Sequence, residues 1–212
     1  KFHGKHLDGD LSVAIRLVCP HEDLAKYLQS SIVDNHSLPG ESQLLVATCW
    51  RDSHTFNELK RSKITIYNLP LNTPYLHFIN TKCDRESVYF SNDIAKGDKS
   101  FIYQNEDWKH FYNSTLVCPI RFPAKHLSEQ SIPHSNILGF VTIDSNNVKK
   151  FNLFDDDLVK YFIPFVADEL LDMLIAYSKL HKISPPIKFT TQLIQNIILA
   201  RQEQESCESN LA

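Results

Sequence analysis

Two stretches in the second half of the chain carry apolar residues on both sides of an extended backbone. They are Ser114-Thr-Leu-Val-Cys-Pro-Ile-Arg-Phe122 and Ile137-Leu-Gly-Phe-Val-Thr-Ile-Asp144, the pattern of strands in a sheet covered on two faces. Leu11 to Cys19 is a further strand, with Val13, Ile15 and Leu17 alternating against Ser12, Ala14 and Arg16. Gln43 to Trp50, Lys63 to Tyr67 and the short Ser87 to Phe90 complete the strands. Between them, Leu24, Leu28 and Ile32 fall on one face of a helix from Glu22 to about Val33. Asn72-Thr73-Pro74 opens another helix, with Leu76, Phe78 and Ile79 turned inward.

The longest periodic stretch runs from about Leu153 to Leu180. Asn152 can cap it, and Asp155, Asp156 and Asp157 place carboxylates in its first turn, where the helix dipole favours them. Val159, Ile163, Val166, Leu170, Met173, Tyr177 and Leu180 are spaced 4, 3, 4, 3, 4, 3, the seam of one helix meeting another. Leu158, Phe162, Phe165, Leu171 and Leu174 form a second face suited to the sheet. Pro164 should kink the helix or divide it. Either both faces are buried in one domain or the seam joins two copies; the seam reading leads to a homodimer.

Ile183-Ser-Pro-Pro186 reads as a stiff linker. The domains expected are a polar tail at 1–10, one domain at 11–182, a linker at 183–188, an amphipathic helix at 189–204 and a disordered tail at 205–212. The last helix is too short to stand alone. It packs either beside the closing helix or against a partner.

A chain of 212 residues fits a single well-filled domain with an extension. Thirteen Phe and eight Tyr against five Gly point to a filled core with few flexible loops. The net charge of −3 argues against a nucleic-acid surface, and the basic cluster Lys60-Arg-Ser-Lys63 reads as a solvated loop. Five cysteines with no Cys-x-x-Cys pair give neither a disulfide framework nor a zinc site, and a cytoplasmic setting follows. No apolar run is long enough for a membrane span. The start at Lys1 suggests an upstream segment was removed, whose contents, an anchor included, are not visible. His3, His6, Asp8 and Asp10 lie in a polar stretch with nothing to fix a metal geometry.

Three segments taken together resemble the second half of a GAF domain. They are Ser114-x-Leu-x-x-Pro-Ile120, Ile137-Leu-Gly-Phe-Val-Thr-Ile-Asp144 and Phe151-x-x-x-Asp-Asp-x-Leu158. Upstream, Glu86-Ser-Val-Tyr-Phe-Ser-Asn-Asp-Ile94 resembles that family's strand leading into an aspartate turn. The resemblance covers Arg85 to Leu174, extends to Leu11 to Cys83, and is absent after His181. It implies an α/β (α+β) fold with a central antiparallel sheet of about five to six strands, helices on both faces and a long closing helix. The helix between the first two strands reads as an insertion.

The residues present match the activities of that family only in part. The cysteine of free methionine sulfoxide reductases is missing from Trp108-Lys-His-Phe-Tyr-Asn-Ser114. The cyclic-nucleotide signature is matched in part by Asn147, Lys149 and Phe151-Asn-Leu-Phe-Asp155-Asp156, with Asp in place of the final Glu. Ordinary helix capping produces the same run. No cysteine lies near the aspartate turn to hold a bilin.

No phosphate loop, Gly-x-Ser-x-Gly or His-Glu-x-x-His motif occurs, and His77 and His110 read as surface or core residues. Binding is what remains. Ser91, Asn92 and Asp93 offer polar groups at the aspartate turn. Tyr103, Trp108, Phe111 and Tyr112, in the irregular segment 94–112, form either a lid on a pocket or a plug filling it. Thr115 and Arg121 share parity on one strand, and Thr142 and Asp144 on its neighbour. The expectation is a sensory or regulatory domain, not an enzyme. It binds a small molecule, nucleotide-like in one reading, and signals through a helical dimer interface, with no metal and no cofactor. The alternatives are a ligand-free interaction module and a thiol redox sensor using Cys83 and Cys118.

Overall fold

The architecture is built outward from β1 (Leu11–Pro20), which lies at the middle of the sheet. In the computed structural model, which describes residues 11–28, 33–34, 44–51, 64–79, 88–94, 102, 112–121, 136–147, 161–183 and 186–209, β1 pairs antiparallel with β3 (Leu44–Arg51) on one side and β7 (Ile137–Ser145) on the other. β7 pairs with β6 (Ser114–Arg121), and β6 with β5 (Tyr89–Ser91). Beyond β3 comes β4 (Ile64–Asn68), and the two-residue β2 (Val33–Asp34) adds in parallel at that edge. The order is β2-β4-β3-β1-β7-β6-β5. Six strands are therefore antiparallel, and the fold is α+β.

Helices cover both faces. On the first, α3 (Ile163–Leu180) sets Ile163, Ala167 and Leu171 on Leu116, Cys118, Ile120 and Val141. Beside it α4 (Pro186–Ser209) sets Ile194 and Ile198 on Leu17, Cys19, Leu45, Ala47, Ile64 and Ile66. Full burial of each isoleucine contributes about 1.5–3 kcal/mol. On the second face, Leu69 of the 3₁₀ turn Leu69–Leu71 and Tyr75 and Phe78 of α2 (Thr73–Ile79) pack on Val18, Val46, Val117, Ile137 and Phe140. Gly139 is required where β7 crosses β1, because a Cβ there would stand 2.4 Å from the Arg16 carbonyl oxygen.

Several sequence expectations are corrected. Of the helix expected from Glu22 to Val33, the described residues form α1 (His21–Leu24) and a 3₁₀ turn, Ala25–Tyr27, and 29–32 lie outside them. Val33, β-branched and suited to extended backbone, pairs with Ile64 instead. On α2 it is Tyr75 that turns inward with Phe78, while Leu76 is exposed. Pro164 is the second residue of α3, which follows directly on the π-helical Tyr161 and Phe162, so the helix changes its hydrogen bonding where the proline stands.

The expected seam splits. Ile163 and Leu170 pack on the sheet, Val166 is half-buried, and Met173, Tyr177 and Leu180 are exposed; Val159 lies outside the described residues. Phe162 and Phe165, assigned to the sheet, are exposed as well. The core lane is Ile163, Ala167, Leu171 and Ser178. A scan for large apolar residues passes over Ala167 and Ser178, and a heptad drifts about 20° against a straight helix.

Of the linker expected at 183–188, residues 186–188 already belong to α4, and α3 closes in a turn at 181–183. Lys182 takes a left-handed φ of 56°. Its N–H donates to the Lys179 carbonyl (3.1 Å), and that of Ile183 to the Ser178 carbonyl (2.9 Å), a Schellman closure. α4 then packs on the same sheet, with Thr190 Oγ1 donating to the Val18 carbonyl (2.9 Å), and runs past Gln204 to Ser209. The C-terminal helix belongs to the same core. Among the described residues no helix is long and apolar enough to cross a membrane.

Candidate functional site

The face beneath α2 has two halves. Toward Val18, Val46 and Phe140 it is apolar; toward Ser12 and Ala14 it becomes a buried polar cluster centred on Arg16. Tyr75 stands between the halves. Its ring packs on Phe140 with centroids 4.6 Å apart, and its hydroxyl accepts a hydrogen bond from Arg16 Nη1.

Arg16 is 2% exposed, an unusual place for a guanidinium. Its Nε donates to Thr48 Oγ1 (3.3 Å), and its Nη2 faces Asp144 Oδ2 at 3.8 Å. The rings of Tyr67 and Tyr75 lie 5.9 and 5.8 Å from its central carbon, close enough for cation–π attraction. Asp144 is held from its other side by Thr115, whose Oγ1 donates to Oδ1 at 2.6 Å.

A second arginine enters through an irregularity in β3. Arg16 faces Thr48, yet the next residue of β1, Ile15, faces Trp50, so Cys49 is an extra residue in the ladder. Such a bulge re-aims the side chains beyond it. Arg51 thereby comes opposite Ala14, on the Thr48 side of the sheet, while Trp50 is left exposed. Arg51 Nη2 donates to Thr65 Oγ1 (3.2 Å), and Thr65 Oγ1 donates to Thr48 Oγ1 (3.0 Å). Two hydroxyls thus link the two arginines. Arg51 Nη1 is enclosed without a hydrogen-bond partner among the described residues.

Tyr112 faces the same cluster. Burial, reinforced by the Asp144 carboxylate, pushes its phenol above the ordinary value, while Arg51 and Arg16 pull it down. Of the expected site residues, the structure brings together Tyr112, Thr115 and Ser91, which pairs with Thr115 across β5 and β6. Thr142 is buried nearby and donates to the Ala14 carbonyl (3.3 Å). Asn92 and Asp93 follow Ser91 and are half-buried. Tyr103, Trp108 and Phe111 lie outside the described residues.

Arg121 does not join them. Six residues along β6 from Thr115, roughly 20 Å at the rise of a strand, it donates to Asn136 Oδ1 (3.4 Å) and lies over the Phe78 ring at 5.7 Å. Sequence reasoning missed Arg16, Thr48, Arg51, Thr65, Tyr67 and Tyr75. The signal that could have found Arg16 was the small pair Ser12 and Ala14 beside it on a strand that is apolar along its other side.

The thiols are placed for packing. Burial pushes Cys49 and Cys118 up to about 12 and Cys19 also upward, so none of the three is a nucleophile at neutral pH. Cys83 lies outside the described residues. No group of three metal-ligating side chains occurs among those described. What the cluster offers chemically is fixed donors and positive charge. No family model, curated protein or solved structure matches the chain.

Proposed function

We propose that this chain is a GAF-like sensory or regulatory domain that binds a small molecule at the polar half of the sheet face beneath α2. The carrying observation is the buried cluster of Arg16, Thr48, Thr65, Thr115 and Asp144, which brings together the buried charged side chains of the described residues, Arg16 and Asp144. A buried ion pair is often no more stabilising than an apolar pair of the same volume. Stability alone therefore does not account for it, and ligand recognition does. The succession of β6, the Gly139-bearing β7 and the long α3 supports the GAF-like reading.

The exposed side of α3 supports the second half of the proposal, that the ligand's state passes to a second copy of the chain. Phe162, Phe165, Met173 and Leu180 lie there at 54–72% exposure, with Tyr177 stacked on His181 and Phe189 at the turn into α4. Coupling requires that the ligand bind the two helix arrangements with different affinity.

Native mass spectrometry of the purified chain, followed by a thermal-shift screen of metabolites, tests the binding reading. It expects a non-covalent mass that leaves on denaturation, or a compound that raises the melting temperature. Neither in a broad screen would sink it and leave an interaction module.

A further inference from the structure

We infer that the small molecule received on this face is an organic carboxylate, bound by Arg51; the inference rests on the ligand-binding reading above and names its ligand class. Three observations converge on it. The extra residue Cys49 switches the parity of β3, so that a guanidinium is delivered to the covered polar face and a large indole to the exposed one. The opposite arrangement would bury Trp50 and release the arginine to water, which elementary hydrophobicity favours. A bulge that works against burial in this way is a device for placing the charge.

The second observation is the state of that charge. Arg16 has the carboxylate of Asp144 at 3.8 Å. The only hydrogen bond Arg51 makes among the described residues is to the neutral hydroxyl of Thr65, and its Nη1 is enclosed with no acceptor. An enclosed donor left unmade is costly, more so on a charged group. The charged groups that act on Tyr112 from the described residues are Arg51, Arg16 and Asp144, two positive and one negative. Among the described residues the cluster therefore carries one positive charge in excess.

The third is the chemistry of the neighbours. A carboxylate matches a guanidinium edge in a plane and takes two of its hydrogens at once. The Thr65–Thr48 hydroxyl chain runs from Arg51 to Arg16, so an anion at Arg51 also relieves the repulsion between two like charges joined by it. A dianionic phosphate would exceed the single positive excess carried by the described residues. An ammonium finds its natural partner, Asp144, already held by Thr115 and Arg16.

The test is a melting-temperature titration in matched ionic strength with formate, acetate, pyruvate and benzoate, against acetamide, benzamide and inorganic phosphate, on the native chain and on Arg51→Met. At least one carboxylate is expected to raise the melting temperature in a saturable way, its amide or phosphate not to do so. Arg51→Met is expected to weaken that carboxylate at least tenfold while leaving the unliganded melting temperature equal or higher, because an unmet donor has been removed. A purely structural arginine would instead lower the unliganded value and leave affinity alone, which overturns the inference. So does stabilisation by phosphate or by the amides in place of the carboxylates, though small-molecule binding would then stand. If no carboxylate stabilises the chain, the carboxylate assignment falls. Only the empty mass spectrum and the empty metabolite screen together remove binding itself.

Discussion

The two faces of one sheet are built on different terms. Beneath α3 and α4 the strands present Leu17, Cys19, Leu45, Ala47, Leu116, Cys118 and Val141, and the helices answer with Ile163, Leu171, Ile194 and Ile198. Beneath α2 the same strands present Val18, Val46 and Phe140 at one end, then Arg16, Thr48, Thr65, Thr115 and Asp144 at the other. The first face is explained by the removal of apolar area from water. The second spends part of the same interior on charges and hydroxyls that the fold could replace. A region retained at a cost in stability is where function is to be sought.

The largest effects should come from breaking each face on its own terms. Asp144→Ala removes the carboxylate that faces the buried Arg16 guanidinium and should lower stability by about 3–5 kcal/mol, as read from urea midpoints. Ile194→Ala on the opposite face should cost about 2–5 kcal/mol through the lost contacts and the cavity. The contrast appears on replacing both partners. Arg16→Met with Asp144→Leu should recover most of the loss while abolishing the proposed ligand binding, if the pair serves that ligand more than the fold. Failure of that double variant to fold would make the polar cluster structural and end the comparison.

A smaller effect sharpens the account of α3. Met173→Glu together with Leu180→Glu changes only exposed positions, so stability should stay within about 0.5 kcal/mol. Sedimentation velocity should show a dimer becoming a monomer. A dimer that persists would place the interface elsewhere. Leu170 is a poor choice for the same purpose, since it packs on the sheet.

The smallest effect at neutral pH concerns the thiols. Cys49 and Cys118 titrate near 12 in the folded chain against an ordinary value of 9.0. The folded chain keeps protons that the unfolded chain releases, so their contribution is fully present below about pH 9 and is lost as pH rises toward 12. Urea midpoints should be level from neutral pH to about pH 8 and fall by about pH 10. Exposed Cys207 should alkylate well before buried Cys19 and Cys118.

Much of the scaffold was legible and half of the site was not, for reasons that differ by element. β6 and β7 declared themselves because both sides of each strand are apolar, and parity on them led to Thr115, Thr142 and Asp144. The same parity enlisted Arg121, since alternation reports the face of a residue and not its position along the strand. β1 hid its arginine because strand order is a long-range property: nothing near Arg16 in sequence says that β3 and β7 flank it. Arg51 was beyond reach of any period-two reading, because the extra residue at Cys49 exists only in the register with β1. On α3 the seven-residue spacing matched a seam, yet the lane on the sheet runs through Ala167 and Ser178. Small residues let a helix approach a sheet, and a search for bulk overlooks them.

The most direct test of the central claim is an amide-detected NMR titration of the native chain with the carboxylate that gives the largest thermal shift. The account expects the perturbed amides to cluster at Thr48, Arg51, Thr65, Thr115 and Asp144, and to vanish in Arg51→Met. Perturbations gathered instead around Arg121 and Phe78, or along α3 and α4 with the polar half silent, would contradict it.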